Sequence, residues 1–218
     1  MCTHQIKPPL TRCSRSNKVY VHLVAHKHYI LSVFSRCMEG RKEPGIIVRA
    51  IEPGDFKDVV SNYYSVYDEL DRNPYVGILL FEKKPSLKDE RKWFEGVLQK
   101  AKKGTGFVLV AEVDGRVVGQ CTVEDKTPQM EQRHVGVVGI LIRDGYRSRG
   151  IGSALFAEMI KRAKKEKRYK ILDLAVFGCN KHAQRLYRRF GFKVYGAIPD
   201  GILRKNRLID DVYMYRRL

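Results

Sequence analysis

An α/β domain, built on a mixed and mostly antiparallel sheet of seven strands with about four flanking helices, is the fold class that this 218-residue chain predicts. Three observations carry it. Runs rich in β-formers alternate with stretches whose apolar residues recur at helical spacing. Asp114-Gly115 separates two such runs as the turn of a tight hairpin does. A strand–helix–strand passage from 134 to 177 demands a parallel pair inside the sheet.

Composition agrees with this. Hydrophobic residues make up 44% and charged residues 30%, a globular balance, and the length suits one domain or one domain plus an arm. The longest apolar-leaning stretch, Val19 to Phe34, is broken by His22, His26, Lys27 and His28. It falls short of the roughly 20 residues of a membrane span, so no membrane partner is expected. The cysteines at 2, 13, 37, 121 and 179 form no CxxC pair, so neither a metal site nor a disulfide framework is signalled, and reduced thiols in the cytoplasm are the default. Lys and Arg number 42 against 24 Asp and Glu, and the resulting +18 attracts polyanions: nucleic acid, a ribosome, an anionic surface or a phosphate-rich small molecule.

The elements follow in order. Residues 1–40 form a basic extension: Lys7, Arg12, Arg15, Lys18, Lys27 and Arg36 stand without one acidic residue before Glu39. A targeting arm, a nucleic-acid-binding arm, or a stretch upstream of a true start at Met38 would each explain it, and the last is preferred. The domain proper runs over 41–218. Ile46 to Val48 reads as a strand and Pro53-Gly54-Asp55 opens a helix carrying Phe56, Val59, Val60, Tyr63 and Tyr67 on one stripe. Ser86 with Asp89 fits a capping box before a second helix that ends at Gly104. The hairpin strands are Phe107 to Val113 and Val117 to Val123, followed by a strand from His134 to Ile142. A third helix buries Leu155, Phe156, Met159, Ile160 and Ala163; Ile171 to Phe177 is the next strand. The last helix sets Ala183, Leu186, Tyr187 and Phe190 against Lys181, Arg185, Arg188 and Arg189 on its other side. Val194-Tyr195 and Asp211 to Tyr215 finish the sheet.

The stretch Arg147-Ser148-Arg149-Gly150-Ile151-Gly152-Ser153 lies between a strand and the first turn of a helix. A helix N-terminus exposes unpaired N–H groups, and glycines let a phosphate approach them, so the turn suits a pyrophosphate. Seen alone, such a loop reads more readily as a turn whose glycines serve packing. The chain has no G-x-x-x-x-G-K-[ST] and no G-x-G-x-x-G after a first strand, which disfavours P-loop and Rossmann chemistry.

Arg147-Ser148-Arg149-Gly150-Ile151-Gly152 resembles the Q/R-x-x-G-x-G/A hallmark of the GNAT superfamily of acyl-CoA-dependent N-acetyltransferases. Asn180, Ala183, Leu186-Tyr187 and Gly191-Phe192 are similar to the N-x-x-A-x-x-L-Y-x-x-x-G-F segment common there. The order of elements from Ile46 onward matches too. The resemblance implies that acetyl-CoA is the donor, that no metal is needed, and that an acetyl group passes to an amine-bearing acceptor, small molecule or protein. It implies further that Ile140, Leu141 and Ile142 bind the pantetheine arm through their backbones, and that Ser148 to Ser153 hold the pyrophosphate with charge added by Arg147 and Arg149. Asn180 would hydrogen-bond the cofactor and the phenol of Tyr187 would protonate the departing thiolate. Without the resemblance, Tyr187 reads as a core aromatic.

A general base is not marked. Relatives carry a Glu at positions that correspond here to Ala175 or Val137, so Asp173, Glu69, Glu112 and Glu124 stay open, as does a water chain. His134 and His182 lack metal-ligand spacing, and no His/Asp pattern surrounds Cys121 or Cys179. The rival readings are an acyl-CoA-binding domain without turnover and a basic nucleic-acid-binding or ribosome-associated protein. By family analogy Asn73 to Pro85 and Ile198 to Asp211 shape the acceptor site.

Overall fold

Each element starts or stops for a local reason. After β1 (Ile47–Ala50), Pro53–Asp55 makes one 3-10 turn that leads into α1 (Phe56–Glu69). The Asp55 carboxylate accepts from the Glu52 N–H at 2.8 Å and is gripped by the Arg49 guanidinium, which fixes that entry. Before α2 (Leu87–Lys103), Ser86 Oγ accepts from the Asp89 N–H at 3.2 Å and the Asp89 carboxylate accepts from the Ser86 N–H at 3.3 Å. This is the expected capping box, and Gly104 ends the helix at φ +69°. Strands β2 (Gly106–Val113) and β3 (Arg116–Asp125) meet at Asp114 and Gly115, with φ +51° and +74°. Then follow β4 (Val135–Ile142), α3 (Ile151–Lys165), β5 (Ile171–Phe177), α4 (Lys181–Arg189), β6 (Lys193–Arg204) and β7 (Arg207–Arg217).

This computed structural model describes residues 45–218, which fall in one unit, Glu43–Leu218. The basic extension 1–40 and the reading of Met38 as a start lie outside the described residues. The strands form one seven-stranded sheet in the order β1-β2-β3-β4-β5-β7-β6. Every neighbouring pair is antiparallel except β4–β5, the predicted parallel pair.

Side-chain alternation gives the sheet two apolar faces. On one, Leu155, Phe156 and Met159 of α3 and Tyr187 of α4 pack on Leu109, Cys121, Val138, Leu172, Leu174 and Met214. On the other, Val59 of α1 and Phe94 and Val97 of α2 cover Val108, Val110 and Val117. Burying each large apolar side chain contributes about 1.5–3 kcal/mol, and this sandwiching holds the helices that carry the site. Among the described residues no helix is long and apolar enough to cross a membrane.

The last hairpin departs from expectation. Val194-Tyr195 and Asp211 to Tyr215 are only parts of two long strands, which also take in most of the segment Ile198 to Asp211. Gly196, Pro199, Asp200 and Gly201 hide the strand pattern, and register shifts at Val194/Gly196 and Ile198/Ile202 absorb them. The turn is Lys205-Asn206, both at positive φ (45° and 60°), without the glycine that marks such turns.

Candidate active site

The site begins where the sheet parts. β4 and β5 pair only over Val135–Val137 against Ile171–Asp173 and then diverge. Within β4 the Val135 carbonyl accepts from Lys126, and the Arg143 N–H donates to the Val118 carbonyl, both on the β3 side. By the alternation of an antiparallel ladder, Val138, Ile140 and Ile142 therefore direct their peptide groups toward the gap, while Leu141 turns its own toward Gln120 on β3. The Ile142 carbonyl is taken by Arg147 Nε at 3.0 Å. Ile140 faces the gap with no β5 residue paired to it.

Above the gap sits the glycine turn. Ser148 and Gly150 adopt φ +62° and +85°, and Gly150 is the N-cap of α3 with no side-chain cap and no acid in the first turn. The first intrahelical bond is Ala154 N–H to the Gly150 carbonyl, so the N–H groups of Ile151, Gly152 and Ser153 have no intrahelical acceptor. Ser148, Gly150, Gly152 and Ser153 line a cleft of about 1030 Å³ that also takes in Ile140 to Ile142. The intervening side chains point elsewhere. Ile151 is buried in the core, and the Arg149 guanidinium lies 5.3 Å from the Tyr146 ring centroid. Gly152 has a packing duty as well, because a Cβ there would stand 3.1 Å from Leu186 and 3.3 Å from Ile142.

Arg147 is committed to structure. Its Nη2 donates to Glu69 Oε2 at 2.7 Å and its Nη1 to Oε1, tying the last residue of α1 to the turn. The Asn73 amide also donates to Glu69 Oε1, at 3.0 Å. Glu69 is 3% exposed. Substituting Arg147→Ala strands a buried carboxylate, and urea unfolding should show a loss of about 2 kcal/mol, less than a fully buried pair because Arg147 is partly solvated.

The remaining wall is α4. Asn180 Oδ1 accepts from the Ala183 N–H at 3.0 Å and caps the helix, which leaves its Nδ2 to donate elsewhere. Gly77, in the loop after α1, presses on that amide: a Cβ at Gly77 would collide with Nδ2. Lys181, Arg185 and Arg189 from the charged side of α4 line the cleft, and Arg189 donates to Ser153 Oγ. Tyr187 lies on the opposite, apolar side of the same helix. It is 7% exposed, its ring stacks on Phe156 at 5.1 Å, and it still reaches the cleft wall. Burial raises its pKa, and the buried Cys121 thiol, opposite Ile140 in the β3–β4 ladder, pushes the same way. Cys121 itself is pushed up to about 12 by burial, so it is no nucleophile at neutral pH.

The candidate bases are all engaged in ion pairs. Glu69 is held by Arg147, Glu112 by Arg49 at 3.0 Å, Glu124 by Lys100 at 2.6 Å, and Asp173 by Lys126 at 2.8 Å with a further bond from the Tyr195 hydroxyl at 3.0 Å. No Asp or Glu is among the described residues lining the cleft. No local pattern marks Gly77, nor Glu69 as the anchor of Arg147; both partnerships join segments distant in the chain. The open N–H donors, the flanking cations and the unpaired β4 peptide groups fit the diphosphate and the amide-bearing arm of acetyl-CoA.

Comparison with known proteins agrees. The pattern of the acetyltransferase (GNAT) family matches residues 63–192. The chain is 35% identical over 108 residues to an L-amino acid N-acetyltransferase of Escherichia coli K12, covering 50% of this chain and 66% of that protein, just under two thirds. A ribosomal-protein-alanine N-acetyltransferase of Brucella melitensis superposes with TM-score 0.67 at 24% identity, over 79% of this chain and 99% of that one. A phosphinothricin acetyltransferase of Sinorhizobium meliloti solved with AcCoA gives TM-score 0.67 at 19% identity, over 79% and 88%. With motif, topology and family pattern in accord, the chain belongs to the acetyltransferase (GNAT) family.

Proposed function

We propose that the protein transfers the acetyl group directly to the primary amine of a small acceptor, an amino acid or a similar compound, with both reactants bound in one cleft. The parted β4–β5 gap beneath the uncapped N-terminus of α3 is the observation that carries this reading. The named activities of the E. coli and S. meliloti relatives support a small acceptor. So does the absence of carboxylates among the described cleft residues, which offers nothing to a polyamine or a lysine-rich chain.

Acetyl-CoA supplies an activated thioester. The N–H groups of Ile151, Gly152 and Ser153 hold the diphosphate with Ser148 and Gly150, and Ile140 and Ile142 pair with the pantetheine amides. The Ile140 N–H stabilises the thioester oxygen as it gains charge. Asn180 donates through Nδ2, while Arg149 adds to the local field and Arg147 acts through Glu69 as a positioning residue. Tyr187, kept protonated by its burial, donates to the departing sulfur. With the candidate carboxylates ion-paired, the amine proton leaves through water.

The rate should therefore track the uncharged fraction of the acceptor. We expect kcat/KM to rise from pH 6 to pH 9 as the ammonium loses its proton, with no downturn from Tyr187 because its pKa is raised. A flat profile with chemistry rate-limiting would overturn this. The direct test is acetyl-CoA-dependent thiol release across amine classes, run on the full chain and on a chain starting at Met38. No release with any amine would leave an acyl-CoA-binding protein.

A further inference from the structure

The β6–β7 hairpin ends in a pair of like charges. Arg204 and Arg207 stand directly opposite one another in its last register position, astride the Lys205-Asn206 turn. Such a pair weakens a ladder unless something offsets the repulsion. Among the described residues neither arginine has a carboxylate partner, although Lys205 between them reaches Asp71 at 3.9 Å and the Leu70 carbonyl at 3.0 Å.

Both guanidiniums turn onto one apolar cluster. Arg204 Nη2 donates to the Ile78 carbonyl at 2.7 Å and its guanidinium lies 5.4 Å from the Phe177 centroid. Its Nη1 is buried without a hydrogen-bond partner among the described residues. A buried cationic donor left unsatisfied is costly and requires an explanation. Arg207 Nη1 donates to the Tyr75 hydroxyl at 3.3 Å and the guanidinium lies 5.1 Å from that ring. Tyr75 packs against Phe177, Ile202 and Ile209, and Arg207, Tyr75 and Ile209 line the cleft.

We propose that Arg207, backed by the charge of Arg204 behind it, forms an anion subsite for the acceptor: a carboxylate or comparable oxyanion on the amine substrate meets Arg207 where it lines the cleft. The enzyme then selects α-amino acids or their oxyanion analogues over neutral amines and polyamines. This rests on the transferase reading above. The donor's phosphates carry the same chemistry, but position favours the acceptor. Leu172, Leu174 and Val176 of β5 pack in the cluster with α3 and α4, whereas Phe177, beneath the arginines, belongs to the other face. The diphosphate cradle stands at the N-terminus of α3.

The experiment compares L-methionine and L-phenylalanine with their α-carboxamides, each assayed with wild type, Arg207→Gln and Arg204→Gln. A charge-assisted bidentate contact predicts a wild-type preference for the acids of roughly tenfold or more in kcat/KM reckoned per uncharged amine, since the α-carboxamides carry the less basic nitrogen. In either variant that ratio should fall toward one, through KM for the acid, with KM for acetyl-CoA moving less than about twofold. Equal losses on acid and amide overturn the proposal, and so does a rise confined to KM for acetyl-CoA, which would assign the arginines to the donor. If the variants misfold, thermal shifts of the wild type with coenzyme A and either ligand decide: the acids must stabilise more than the amides. Should the wild type turn over no amine at all, the transferase reading fails. In that case an acid-specific thermal shift would still uphold the anion subsite, and its absence would overturn it.

Discussion

Tyr187→Phe should lower kcat by about 10²-fold while leaving KM for acetyl-CoA within about threefold, the pattern of a lost proton donor rather than a lost binding contact. The low end of the range for general acid catalysis is expected because a thiolate is already a fair leaving group. The ring of Phe preserves the stacking on Phe156 and the contact with Phe192, so stability should change little. Steady-state kinetics with a saturating acceptor, alongside isothermal titration with coenzyme A, separates the two effects. A purely structural tyrosine predicts unchanged kcat. A scaffold without turnover predicts no activity in either protein.

Gly150→Val should strike the donor instead. Gly150 holds φ +85°, which a β-branched residue does not tolerate, and its Cα borders the open N–H groups at the head of α3. We expect KM for acetyl-CoA to rise by roughly two orders of magnitude, equivalent to about 2.7 kcal/mol of lost binding. Gly96→Ala, in the middle of α2 with open space where its Cβ would stand, is the control and should leave that constant unchanged. If Gly150→Val binds coenzyme A as tightly as wild type, the cradle has been misplaced.

Much of this was legible because it is written in local chemistry. Ser86 with Asp89, Asp114 with Gly115, and the helical stripes on α1 to α4 each depend on residues a few positions apart, and each forms as its spacing requires. The glycine turn and the Asn180-to-Phe192 segment were legible for the same reason: a helix cap and an amphipathic face are short-range patterns. What the sequence hid is long-range or irregular. The partnership of Glu69 with Arg147 joins residues 78 positions apart, and nothing near either one announces it. The contact of Gly77 with Asn180 depends on how a loop settles over a distant helix. The hairpin β6–β7 escaped because bulges carry it past Gly196, Pro199 and Gly201, which as sequence read as breaks.

The brief pairing of β4 with β5 also bears on the mechanics of the molecule. With only Val135–Val137 bonded to Ile171–Asp173, the sheet behaves as two plates, β1 to β4 and β5 to β6, sharing a short seam and a common helical lining. Whatever lies in the opening touches both plates at once, so an occupant acts as a rivet across the seam.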